Sequence, residues 1–308
     1  MKTRLRHYTP VVVLLALILV VSTLPGLCFG EKEADAEHRV LVTSYPLYLA
    51  AENVLGGSDM VAVSLLSGAG TGCLHDYQLT PSDRLALERA DVIITNGVGE
   101  EPFLEGVDPS RVVNTGGELD DLLCGEHHHH EGDHHEENYN EHVWVSPARY
   151  SRQVGVVLDT IIALESMGAD QYRENATNYM MAIQQVQDGL SALSLAGQPC
   201  VLFHDSLSYL AADLGLDVKL TLTAEGESGL SAAQLAEVEA LAKENSNLIL
   251  LYDTQYPIRY TAIDELVTAG NALALETAVV GEGKSSDWLD AMKRNLEKLQ
   301  TLKGGDAP

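Results

Sequence analysis

Apolar and polar positions along this chain change rhythm twice. In the first part, short β-branched runs at residues 39–43, 60–66, 91–96 and 111–115 alternate with stretches of helical spacing. Short apolar runs bounded by turn residues predict buried strands. Helices are expected at 48–55 and 81–89, the second opening on Pro81, Ser82 and Asp83, a favourable start. The strand signals then stop. Tyr179, Ile183, Val186 and Leu190 recur at helical spacing, and the pattern predicts consecutive helices at 147–167 and 169–195. After Gly197-Gln198-Pro199 the alternation resumes. Strands are expected at 201–203, 218–222, 248–252 and 272–275, and helices at 207–214, 231–244, 260–269 and 287–302. Strands separated by helical segments imply parallel sheets built from βαβ units. The fold class is therefore α/β: two Rossmann-like lobes with parallel sheets and a helical connection between them.

The N-terminal residues stand outside this pattern. Lys2, Arg4 and Arg6 precede an unbroken apolar run at 11–21, then Pro25 and the ending Cys28-Phe29-Gly30. This is the layout of a secretory signal peptide. The run is short for a bilayer span, which needs about 20 residues. Cleavage after Gly30 leaves about 278 of 308 residues and sends the product to the periplasm or the extracytoplasmic cell surface. A retained anchor, or a lipid on Cys28, is the alternative. The division that follows is a signal peptide at 1–30, a first lobe at 31–168, a connecting long helix at 169–196 and a second lobe at 197–308.

Charge narrows the partners. With 19 basic and 45 acidic residues the net charge is −26, which disfavours nucleic acid and anionic lipid and suits a cationic ligand. Residues 126–137 read EHHHHEGDHHEE; with nothing apolar to bury, they predict a solvated loop. The string from His130 to His134 matches H-E-x-x-H, but that motif needs a helix, and Gly132 within a charge run opposes one. Beyond the leader stand Cys73, Cys124 and Cys200. An odd number leaves one thiol over. The expectation is a Cys73–Cys124 disulfide beside the His-rich loop, with Cys200 buried and free.

Three isolated histidines occupy loop and strand ends. His75 follows the second strand, His142 precedes the helical connection, and His204 directly follows Val201-Leu202-Phe203. Ligands of open α/β sheets gather at the carboxyl ends of strands. Two of these histidines come from the first lobe and one from the second, so they meet only across a cleft between lobes. Neutral imidazole matches zinc, a borderline cation, but taken singly each histidine reads more readily as a surface or structural residue bonded to Asp76, Glu141 or Asp205.

The strings Leu74-His75-Asp76-Tyr77, Asn96-Gly97-Val98-Gly99-Glu100-Glu101-Pro102-Phe103-Leu104, His142-Val143-Trp144-Val145-Ser146-Pro147 and Phe203-His204-Asp205-Ser206 occur in this order. Together they resemble the zinc and manganese solute-binding proteins of ABC importers, the ZnuA/TroA-like group, and the likeness covers essentially all of the chain beyond the leader. It implies two α/β lobes joined by a rigid long helix and a metal site in the interlobe cleft. It also implies His75, His142 and His204 as ligands. The fourth ligand varies in this group; Glu276, after a late strand, falls where a carboxylate is expected, with Asp253 or water as alternatives. Manganese-type relatives carry a further carboxylate after the strand that follows the third histidine, where this chain has Leu222 and Thr223 and its nearest acid is Glu225, so Zn2+ is favoured over Mn2+. The His-rich loop also resembles zinc-type members.

The resulting expectation is a monomeric binding protein without catalytic activity, which captures Zn2+ and hands it to the membrane permease of an ABC importer. A manganese receptor of the same group, an exported zinc hydrolase and a metal buffer acting through the loop alone are the rivals.

Overall fold

The structure, a computed structural model, describes residues 36–66, 77–98, 101–117, 119–125, 139–222, 230–254 and 272–304. The expected helix at 260–269, the His-rich loop, the leader, His75, Cys73 and Glu225 lie outside the described residues.

Two four-stranded sheets, both parallel throughout, form the lobes. The first contains β1 (His38–Val42), β2 (Val61–Leu65), β3 (Val92–Thr95) and β4 (Val112–Asn114), in the order β2-β1-β3-β4. The second contains β5 (Pro199–Leu202), β6 (Asp217–Thr221), β7 (Ile249–Asp253) and β8 (Ala272–Leu275), in the order β6-β5-β7-β8. Each sheet thus changes direction of winding beside its first strand, between β1 and β3 and between β5 and β7. Such switch points open a crevice at the strands' carboxyl ends.

Several helices begin where a side chain satisfies one of their first N–H groups. In α1 (Tyr45–Leu55) Pro46 occupies the first turn, and the helix ends on Gly56, whose φ of 60° is left-handed. A Cβ there would collide with Asn175 of a later helix, so the glycine also permits close packing. A capping box of Thr80 and Asp83 starts α2 (Pro81–Arg89). Ser146 caps α3 (Pro147–Leu164) by accepting from the Arg149 N–H. The long α4 (Ala169–Ser191) has 23 residues, roughly 34 Å at 1.5 Å per residue. In the second lobe α5 (Ser208–Asp213), α6 (Ala232–Glu244) and α7 (Asp287–Gln300) follow.

Side chains alternate across each strand, and both faces of each sheet are covered. Val40, Val42 and Ile94 of the first sheet and Leu202, Ile249 and Leu251 of the second enter one shared central cluster. The opposite faces form separate clusters, Leu41 and Ile93 with Leu87 and Phe103, and Val201 and Leu250 with Val238. Tyr150 of α3, Ile183 of α4 and Trp288 of α7 are fully buried in the shared cluster, where Tyr150 stacks on Trp288 at 4.3 Å between centroids. Helix α4 packs against α1, α3 and α7, and so touches elements of both lobes.

Other ties cross between lobes. Tyr45 donates to Asp287 and accepts from the Gly283 N–H, and Asn53 Nδ2 donates to the Ser285 carbonyl at 2.8 Å. Cys200 is buried, and Cys124 is exposed and not in a disulfide. Among the described residues no helix is long and apolar enough to cross a membrane.

Candidate metal centre

The segment from Tyr139 to Ser146 carries His142 between the lobes, held from both sides. From the first lobe, Asn96 Nδ2 donates to the Glu141 carbonyl at 2.8 Å. From the second, Tyr209 donates its hydroxyl to the Asn140 carbonyl at 2.8 Å, and Asn140 Nδ2 returns a bond to the Asp205 carbonyl at 2.8 Å. His142 then leads into a short 3-10 turn, Val143–Val145, whose three side chains are buried.

The His142 side chain is 1% exposed. Its backbone N–H and its Nδ1 both meet Asn140 Oδ1, at 2.9 and 3.0 Å. Since that oxygen only accepts, Nδ1 carries the proton and the lone pair lies on Nε2, the form suited to a cation. His204 follows β5 directly. Its ring meets that of His142 edge-on, with centroids 5.6 Å apart and planes at 85°. The Ser206 N–H donates to His204 Nδ1 at 3.1 Å, so here Nδ1 accepts and Nε2 carries the proton. Binding a cation through Nε2 requires that proton to leave and Nδ1, 3.3 Å from Asp205, to take one.

Asp205 joins the two histidines. One oxygen lies 3.3 Å from His204 Nδ1 and 3.9 Å from His142 Nδ1. His142, His204 and Asp205 each offer a donor atom within 4.8 Å of the others. Donors around a tetrahedral zinc with bonds near 2.0–2.1 Å sit about 3.3 Å apart, so the cluster has the scale of a metal site. In the sequence Asp205 stands only as a local partner for a structural histidine; its signal is its place in the Phe203-His204-Asp205-Ser206 string. Asn140 carried no signal, because its role depends on contacts with both lobes.

Carboxylates surround this cluster. Glu101 accepts from the Thr43 and Thr95 hydroxyls and from the Gly97 N–H, yet burial raises its pKa above the usual carboxylate range. Desolvation, reinforced by Glu101 and Asp205, pushes the Glu141 carboxyl up to about 8. The contributions of Glu101 and Asp205 to that rise mark a negative potential in the cleft, which favours a cation.

The expected ligands are placed unequally. The structure brings His142 and His204 together. His75 lies outside the described residues. Glu276 is placed elsewhere: its two oxygens take a forked pair of bonds from Arg294, at 2.8 and 2.6 Å, and Lys298 lies at 3.8 Å. Arg294 holds its carboxyl below the usual range. Leu275 and Thr277 turn inward, at 0% and 1% exposure, and Glu276 between them turns towards α7. Asp253, the alternative, is buried and accepts from the Ser206 and Thr277 hydroxyls at 3.1 and 2.9 Å.

Comparison with known proteins agrees with this architecture. The zinc-binding lipoprotein AdcA of Streptococcus pneumoniae is 27% identical over 297 residues, covering 91% of this chain; the chain spans 59% of AdcA's length. The high-affinity zinc uptake system protein ZnuA of Bacillus subtilis is 22% identical over 291 residues, covering 88% of this chain and 89% of that protein. Among solved structures, a ZnuA crystal structure superposes with a TM-score of 0.68 at 23% identity, over 86% of this chain and 98% of that one. The Mn2+ complex of FpvC from Pseudomonas aeruginosa gives 0.69 at 20% identity, over 87% and 98%. These structures share the two-lobed fold. The family model described as "zinc-uptake complex component A periplasmic" (ZnuA) matches residues 40–302. With that match over most of its length, and with its two parallel-sheet lobes and the histidine pair between them, this chain belongs to the ZnuA family.

Proposed function

We propose that this chain is an extracytoplasmic solute-binding protein, not an enzyme, which captures Zn2+ and delivers it to the permease of an ABC importer. One observation carries the reading. His142, anchored between the lobes, and His204, at the end of the second lobe's first strand, meet with ring centroids 5.6 Å apart in acidic surroundings. The zinc-binding names of the streptococcal and Bacillus relatives point the same way. In this proposal His75, His142 and His204 are ligands, and Asp205 lends negative charge beside the two rings. Glu276 is the fourth donor and enters by giving up Arg294 and Lys298 to the ion. Delivery to a permease rests on family membership, and export rests on the leader at 1–30.

Titration of the exported protein against a competing zinc chelator tests the set. Replacing His142 or His204 by Ala should weaken zinc at least a hundredfold, since each removes one of few direct bonds. Glu276→Ala should weaken it less, because water can take that position. Arg294→Ala should tighten it by releasing Glu276. Unchanged affinity in either histidine variant rejects the site, and unchanged affinity in both the Glu276 and Arg294 variants removes Glu276 from it.

A further inference from the structure

A chain of hydrogen bonds runs behind the histidine pair and joins the lobes. The Ser206 N–H donates to His204 Nδ1 at 3.1 Å, and the hydroxyl of the same serine donates to Asp253 Oδ2 at 3.1 Å. The Thr277 hydroxyl donates to the same oxygen at 2.9 Å. The Thr277 carbonyl accepts from the Trp144 indole at 2.9 Å, and the Trp144 ring lies 5.4 Å from that of His142. The Trp144 carbonyl in turn accepts from the Trp288 indole at 3.0 Å.

Sheet register puts Asp253 at the hub. It ends β7, pairing with Leu275 of β8 on one side, while its neighbours Leu250 and Leu251 pair with Val201 and Leu202 of β5 on the other. It is therefore the residue beside both the turn that carries His204 and the loop that carries Thr277. At 1% exposure its carboxylate depends on bonds from the protein, and Ser206 and Thr277 supply two of them. Removing a bond to a buried carboxylate is costly, so the two hydroxyls hold both loops to one oxygen.

We propose that Asp253 is a positioning residue for the metal site: through Ser206 and Thr277 it sets the separation of His204 from His142. This rests on the histidine pair being the zinc site. It gives Asp253 a role other than ligand. A tight site needs donors preorganised by the groups behind them, and here those groups span both lobes.

Ser206→Ala and Thr277→Val each delete one hydroxyl, the latter with little change of volume; Thr277→Ser keeps it. Three quantities are read on the full exported chain: zinc affinity against a chelator, the visible absorption of the Co2+ form, and the melting temperature of the metal-free protein. The Ala and Val variants should lose roughly five- to tenfold in zinc affinity, the size of one ordinary net hydrogen bond. They should also alter the Co2+ spectrum, while Thr277→Ser stays at wild type in both. Unchanged affinity in both deletions overturns the proposal. So does a fall in melting temperature with an unaltered Co2+ spectrum, which marks Asp253 as a stabiliser of the fold alone. The His142→Ala and His204→Ala variants, run alongside, report on the site itself. Loss of zinc there with no effect at Ser206 and Thr277 rejects only the positioning role; no loss there rejects the functional reading.

Discussion

Glu141 shows how one residue's surroundings set its chemistry. Next to the buried His142 and facing Glu101 and Asp205, its carboxyl is pushed from the ordinary 4.5 up to about 8. The folded protein therefore keeps this proton through a pH range in which the unfolded chain has lost it. Where the folded state binds more protons, stability falls as pH rises, so the loss runs from about pH 4.5 up through about 8. Glu141→Gln removes the titrating group while keeping the shape. The metal-free variant should melt at a higher temperature than wild type at pH 8 and at nearly the same temperature at pH 4.5; a gap equal at both values refutes the assignment. At this scale the sequence was informative about identity and silent about state. His142 and His204 stood out in their strings. That Asn140 sets the His142 tautomer, or that Glu276 turns to Arg294, follows from contacts across 18 residues in one case and two lobes in the other.

At the scale of elements, local signals translated well. The helix at 81–89 and the strand at 272–275 appear with the expected bounds, and most other elements differ by a few residues. The shifts have local causes. Helix α1 starts at Tyr45, earlier than expected, because Pro46 suits the first turn, where its missing N–H costs nothing. The middle helices end at Leu164 and Ser191, short of 167 and 195, because Glu165 leaves helical geometry and accepts from the Met167 and Gly168 N–H groups, and Ser194 adopts a positive φ of 55°. The His-rich segment allows a separate prediction from composition alone. Its histidines lack apolar neighbours that would fix their geometry, so any metal they hold is held loosely. Deleting residues 126–137 should leave one tight zinc site in calorimetry and abolish additional weak ones. Loss of the tight site would transfer the function to the loop.

For the whole molecule, the central cluster shared by both sheets and the long α4 against α1, α3 and α7 oppose wide opening of the lobes. A site formed between such lobes is small and accepts few ligands. Three imidazoles and one carboxylate suit zinc, which takes a tetrahedron readily, whereas manganese prefers more oxygen donors. Tighter binding to the folded state raises its melting temperature further. Zinc should therefore raise the melting temperature of the loop-deleted protein well above the value reached with equal manganese. Equal shifts would mean that a second carboxylate, such as Asp205 or Asp253, joins the set.

The sequence by itself determined the α/β class, the order of elements and the family, because strand and helix periods, caps and short strings are local properties of the chain. It also pointed to His142 and His204 as residues of interest. Their meeting across the lobes, Asp205 beside them, Asp253 behind them and the capture of Glu276 by Arg294 were decided only in three dimensions. Those contacts depend on which strands are neighbours in each sheet and how the two sheets share one core, and no local spacing encodes either.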